Sequence, residues 1–301
     1  MAAALLALCA GCTASSSPAA GPTITPFSSP PTVSASTQPL ASHGPPKVAG
    51  LSWRGLGTVI HGRYVTYVAT TRHGSIGLMW MDPSLLKFRF VPGSAYPERS
   101  PILPQDRQVS SWAPQMAAAF NGAFKLTDQD GGYYYAGVTV SPLRPGLASM
   151  VVTKQGTLSV VVWSSGNVSL AGVQVVRQNL PPLVDQFVAQ TSPQDNNHTW
   201  GYADHNATLA NRSALGQLAD GSLVYAYGYQ VRPPDMATAM VRVRARTAIM
   251  LDMNMSQPGG FVYVHHNGTV AGQRILATIY HNSSVYLMWY KKDFVVALAQ
   301  S

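Results

Sequence analysis

Leu215-Gly216-Gln217-Leu218-Ala219-Asp220-Gly221-Ser222-Leu223-Val224-Tyr225-Ala226-Tyr227 reads as two strands and the turn between them. Asp-Gly supplies the positive φ that a tight hairpin turn needs, and the flanking apolar and aromatic runs suit a pleated, buried surface. The same grammar recurs along the chain. Met150 to Thr153 and Leu158 to Trp163 flank Gln155-Gly156, and Phe261 to His265 and Thr269 to Ala271 flank Asn267-Gly268. Gly62 to Thr70 alternates as a strand. Gly77 to Trp80 and Lys87 to Val91 are expected to pair across an Asp82-Pro83 turn, and Ser284 to Tyr290 and Phe294 to Ala299 across Lys291-Lys292-Asp293. Two helices are expected: Ser111 to Ala119, with Pro114 in its first turn, and Pro234 to Val243, with Met236, Met240 and Val243 at helical spacing. Helices do not alternate with strands, which disfavours a doubly wound fold. The expectation is a strand-rich α+β single domain over residues 51–301, with a mixed or antiparallel sheet and few short helices.

Composition narrows the class further. The chain has 301 residues and two cysteines, Cys9 and Cys12, so nothing downstream is stapled by disulfides or holds zinc through thiolates. Charged residues make up 11%, against about 25% in an ordinary soluble domain. Residues 1–12 resemble a bacterial lipoprotein signal: the short apolar run Ala2 to Ala10 is followed by Gly11 and Cys12, the expected lipid attachment site. Residues 13–50, rich in Ser, Thr, Pro and Ala, cannot bury enough apolar surface to offset their ordering entropy and are expected to form a disordered tether. This organisation implies export to the outer face of the membrane, anchored by lipid, or secretion.

The net charge of +8 is scattered except at Arg242, Arg244 and Arg246, which read either as an anion-binding patch or as cations suited to a helix C-terminus. No zinc finger, phosphate loop or RNA-binding signature accompanies them, so no nucleic acid is expected. An anionic sugar-phosphate or envelope glycopolymer is the expected partner.

Twelve acids allow each to be weighed singly. Most aspartates sit in turn contexts. Asp252 instead follows Ala248-Ile249-Met250-Leu251, a run that reads as a buried strand, where a carboxylate is costly unless paired or functional. Asn121-Gly122, after Met116-Ala117-Ala118-Ala119-Phe120, reads as a tight turn leaving a buried strand, with glycine permitting close backbone approach. Arg212 opens an apolar strand, where it would clamp a phosphate or pair with Asp252. No histidine pair has zincin spacing and no Gly-x-Ser-x-Gly occurs, so no metal or cofactor is expected.

Together Asn121-Gly122-Ala123-Phe124, Arg212-Ser213-Ala214-Leu215-Gly216 with Asp220-Gly221, and Leu251-Asp252 resemble the phosphodiester glycosidase family, whose members include the enzyme that uncovers mannose 6-phosphate by removing N-acetylglucosamine. Val176-Arg177-Gln178-Asn179-Leu180-Pro181 and Trp200-Gly201 resemble a bacterial branch carrying Leu-Asp-Ile-Asn in place of Leu-Asp-Gly-Gly, as Leu251-Asp252-Met253-Asn254 does here. The resemblance implies hydrolysis of a sugar-1-phosphodiester. It implies Asp252 as nucleophile, base or oxocarbenium stabiliser, Arg212 as the anion-positioning residue, and Asn121 and Asn254 as orienters of hydroxyls. Gly122, Phe124 and Trp200 would contact substrate. Met253 and Asn254 stand where the family has glycines, and a non-catalytic glycopolymer-binding lipoprotein is the competing reading.

Overall fold

The computed structural model describes residues 44–71, 73–165, 169–194, 199–201, 205 and 207–300. Cys9, Cys12 and residues 13–43 lie outside them, so the anchor and tether remain expectations. The described part is built from three larger antiparallel sheets and a two-stranded ribbon.

The eight-stranded sheet runs, edge to edge, Arg54–Gly55, Thr66–Thr70, Ile76–Met81, Leu223–Val231, Ala210–Leu218, Ala245–Met250, Val184–Asp185 and Val188–Ala189. The hairpin read from Asp220-Gly221 is at its centre, with Leu215 opposite Tyr225 and Ala214 opposite Ala226. Side chains alternate between its faces. Met79, Leu215, Tyr225 and Ile249 enter the main core, whereas Leu78, Ala214, Val224 and Ala248 enter a second core beneath the helix Pro233–Arg242. Because both faces are covered, Ile76–Met81 and the first six residues of Leu223–Val231 read as unbroken apolar runs.

A five-stranded sheet in the order Thr269–Arg274, Gly260–His266, Met116–Asn121, Phe294–Ala299 and Leu86–Val91 packs into the main core, together with residues of another in the order Leu158–Val162, Ala148–Thr153, Val173–Gln178, Tyr133–Tyr135 and Val138–Ser141.

The α+β expectation is corrected: this is a mostly β protein, with one α-helix among the described residues, Pro233–Arg242. The expected helix at Ser111 to Ala119 is a 3-10 turn, Val109–Gln115, running into the fully buried strand Met116–Asn121. Alanine favours helix, but here three alanines lie between neighbouring strands that supply hydrogen bonds on both sides, and tertiary context overrides propensity. Ser284 to Tyr290 is likewise not a strand; Ser283–Leu287 forms a 3-10 turn capped by Asn282. Ile76–Met81 and Leu86–Val91 do not pair with each other. The Asp82-Pro83 connection carries the chain from the eight-stranded sheet to a five-stranded one.

Candidate active site

The site forms where strand ends from two sheets meet. Phe294 pairs with Asn121 at the end of Met116–Asn121, so Lys291, Lys292 and Asp293 sit beside Gly122. From the eight-stranded sheet the chain leaves Met250, and Leu251 still donates its N–H to the Ser213 carbonyl at 2.8 Å. The next residue changes partner: the Asp252 N–H bonds the Gly122 carbonyl at 3.0 Å, while the Gly122 N–H bonds the Asp293 carbonyl at 2.9 Å. Gly122 thus lies between two aspartates. A Cβ built on it would fall 2.6 Å from Cγ and Oδ1 of Asp293, so a side chain is excluded there.

Asp252 is 5% exposed and lines a cleft of about 580 Å³. Its Oδ1 accepts the Met253 N–H at 2.8 Å, and its Oδ2 accepts the Lys292 ammonium. Burial pushes its carboxyl up to about 6, against the opposing pull of Lys292 and the Met253 N–H; the Asp293 charge adds to the rise. Lys291, Lys292 and Lys125 line the same cleft with Phe124, Asn254 and Asp128. Lys125 lies 5.0 Å from the Tyr96 ring centroid and 4.0 Å from Asp128. The cleft therefore presents three ammonium groups and two carboxylates, a net positive mouth above a buried acid.

Behind Asp252, Asp293 forms a fully enclosed ion pair with Arg177, Nε to Oδ2 2.9 Å. Burial raises the Asp293 carboxyl and the Arg177 charge opposes the rise. Arg177 also donates to the Phe124 carbonyl, and Asn179 Oδ1 accepts the Phe124 N–H at 3.4 Å. The 176–181 run thus fixes the backbone that presents Phe124 to the cleft.

The residues expected at the site divide by position. Asp252, Asn254 and Phe124 line the cleft. Asn121 is buried beneath it: its Oδ1 accepts the Tyr225 hydroxyl at 2.8 Å and the Gly259 N–H at 3.1 Å, and its Nδ2 donates to Ser213 Oγ at 2.9 Å. Ser213 in turn donates to the Asp252 carbonyl at 2.8 Å, so Asn121 supports the backbone of Asp252 from below. Arg212 is fully buried, with Nε on the Val231 carbonyl at 3.2 Å and Nη1 on the Trp200 carbonyl at 2.9 Å. Burial lowers its guanidinium to about 10. Among the described ion pairs, Asp252 is matched with Lys292 and not with Arg212. Trp200 packs into the core beneath the helix, and its neighbour Gly201 reaches the cleft.

Met253 is also turned inward. It is fully buried, its Sδ lies 3.3 Å from Arg212 Nη1, and a Cβ on Gly201 would meet that sulfur at 2.7 Å. Asn254 takes φ +80°, the left-handed conformation that glycine would otherwise supply.

Sequence reasoning did not place Lys292, Asp293 or Arg177 at the site, although the run that holds Arg177 was singled out. The signal for the first two was Lys291-Lys292-Asp293 directly before the apolar run at Phe294, three charges together in a chain where charge is scarce. Reading that triplet as the turn between two paired strands hid it.

No family model and no curated protein sequence matches the chain. Among solved structures, it is similar to the catalytic domain of zebrafish N-acetylglucosamine-1-phosphodiester alpha-N-acetylglucosaminidase, auto-inhibited by its pro-peptide, with TM-score 0.44 and 12% identity over 87% of this chain and 96% of that one. It is also similar to a hypothetical protein from Synechocystis (TM-score 0.39, 11% identity, 83% and 62% of the two chains). A Burkholderia pseudomallei protein described as exported gives TM-score 0.37 and 12% identity over 77% and 74%. These are coarse likenesses of chain path, from which no residue role is transferred.

Proposed function

We propose that the chain is an exported hydrolase of glycosyl phosphodiesters, acting through Asp252 at the base of the lysine-lined cleft. The observation that carries this reading is the Asp252–Lys292 pair, a buried carboxylate and an ammonium side by side where an anionic substrate can reach both. A sugar-1-phosphodiester needs two things of a protein: stabilisation of positive charge developing at the anomeric carbon, and neutralisation of the departing phosphate. Asp252, ionised above pH 6, supplies the first. Lys292, with Lys291 and Lys125 at the mouth, supplies the second. Because the phosphate leaves as a stabilised anion, no second carboxylic acid is required for its departure. Asn254 lies on the cleft wall, where its amide can orient sugar hydroxyls.

The glycopolymer-binding alternative rested on side chains at positions 253 and 254 filling the space of family glycines. Met253 points into the core and Asn254 keeps a glycine-like backbone, so the cleft stays open beside Asp252. The test is release of reducing sugar by the purified protein from a panel of sugar-1-phosphate methyl diesters, with Asp252→Asn beside it. Turnover reduced roughly 100-fold or more in the variant is expected. No turnover by the unaltered protein, with the panel still bound, would leave a binding module.

A further inference from the structure

A second cleft, of about 380 Å³, opens along the edge strand Leu86–Val91, and it shares no lining residue with the cleft of Asp252. Leu86, Phe88 and Phe90 face the core, so Lys87 and Arg89 alternate outward. The turn between Ala148–Thr153 and Leu158–Val162 docks onto this edge, the Phe88 N–H bonding the Gly156 carbonyl at 2.8 Å, and brings Lys154 to the same cleft. The Arg89 guanidinium carbon lies 5.1 Å from the Trp112 ring centroid, which braces the fork against an aromatic face.

The cleft's one acid, Asp106, forms no direct ion pair with these cations, although the Arg89 charge acts on its carboxyl and opposes the rise that burial gives it. Asp106 is 2% exposed and is held by other groups: Oδ1 accepts the Tyr135 hydroxyl at 2.6 Å and Oδ2 the Leu103 N–H at 2.7 Å. Among the described residues, no ion pair includes Lys87, Arg89 or Lys154. Three exposed cations around one concave surface outnumber the single buried carboxylate there, and an anion is what balances the excess. The lining also carries the amides of Gln105 and Gln155, donors and acceptors suited to neutral hydroxyls, beside Gln174, whose side chain bonds Tyr135.

We propose that this cleft is an accessory binding site for an anionic polysaccharide, a chain of sugars bearing phosphate or carboxylate groups. Lys87, Arg89 and Lys154 take the anions and the glutamine amides take the hydroxyls. Single-stranded nucleic acid fits less well, because it needs open aromatic faces for its bases and Arg89 covers Trp112. The site stands apart from the chemistry at Asp252, so it holds whether or not that cleft turns over substrate.

The test measures binding of the full chain to dextran phosphate, carboxymethyl dextran, neutral dextran and an oligothymidylate of matched charge, at two salt concentrations. Binding to one or both charged dextrans but not to neutral dextran is expected, weakening with salt. Which of the two binds tells phosphate from carboxylate. Lys87→Ser with Lys154→Ser, both at exposed positions, is expected to weaken binding roughly tenfold, and Trp112→Leu to weaken it less by freeing Arg89. The proposal is overturned if neither charged dextran binds, if the double variant binds undiminished, or if the oligothymidylate binds as tightly as the charged dextrans.

Discussion

The Lys292 ammonium bonds Oδ2 of Asp252, tying a residue two before the strand Phe294–Ala299 of one sheet to a residue two after the strand Ala245–Met250 of another. Both side chains are largely buried, at 11% and 7% exposure. Removing one partner of such a pair leaves the other charge uncompensated. Lys292→Met is therefore expected to cost about 2–4 kcal/mol of stability, measured by urea denaturation at pH 7. Lys292→Arg, which keeps the charge, is expected to recover most of the stability but little of the turnover, because a planar fork cannot sit where a compact ammonium does. Equal stability of the Met variant and the unaltered chain would mean that the pair contributes nothing to folding.

The raised carboxyl of Asp252 makes stability depend on pH in a defined direction. In the unfolded chain it titrates near 3.8, and in the folded chain near 6. Between those values the folded state holds the proton that the unfolded state has lost, so folding is favoured at the acidic end and the gain disappears as pH rises through 6. Asp293, also raised, acts in the same sense. Urea midpoints are expected to fall between pH 4 and 6, with less slope in Asp252→Asn. Turnover is expected to move oppositely, rising through pH 6 as Asp252 ionises. A stability that climbs over this window with the same slope in both proteins would show that Asp252 titrates normally.

Gly122 and Asp293 predict a steric failure. In Gly122→Ala the new methyl group falls 2.6 Å from the Asp293 carboxylate and 2.9 Å from its carbonyl oxygen. Asp293 must move, and its enclosed pair with Arg177 moves with it. A loss of about 2–4 kcal/mol is expected from overpacking and the disturbed pair together. The distortion also pulls on Phe124, whose carbonyl Arg177 holds, so turnover is expected to fall further than stability explains. Thermal melting beside sugar release from the folded fraction checks both parts.

Much of this site was legible because the chain is poor in charge. Asp252 announced itself as a carboxylate after a buried run, and the turn residues at Asp220-Gly221, Gln155-Gly156 and Asn267-Gly268 located three hairpins whose partners pair as expected. What failed was non-local. Met116 to Phe120 carried two readings, the end of a helix and a buried strand before Asn121-Gly122, and it is the flanking strands from residues 260 and 294, which nothing local announces, that decide for the strand. Nothing near Asp252 says that its cation lies forty residues on. Arg212 was legible as an arginine opening an apolar strand, but its hydrogen bonds to the carbonyls of Val231, at a strand end, and of Trp200 depend on tertiary approaches that no local pattern encodes.

Positions 253 and 254 are expected to answer differently to glycine. Asn254 holds φ +80°, where a side chain is strained and glycine is not. Asn254→Gly is therefore expected to change stability by less than about 1 kcal/mol, while Asn254→Val, β-branched at a positive φ, is expected to lose more. Met253 is fully buried against Arg212 and Gly201. Met253→Gly removes the whole side chain from a packed interior and is expected to cost about 2–5 kcal/mol. It also removes the sulfur beside Arg212, so the loop carrying Trp200 and Gly201 loosens and the cleft wall with it. Placing glycine at both positions together tests whether the double substitution widens the cleft or unfolds it. The expected outcome is a destabilised protein whose loss is set by position 253 alone, measured as a double variant no less stable than Met253→Gly. A double variant as stable as the unaltered chain would place Met253 outside the core.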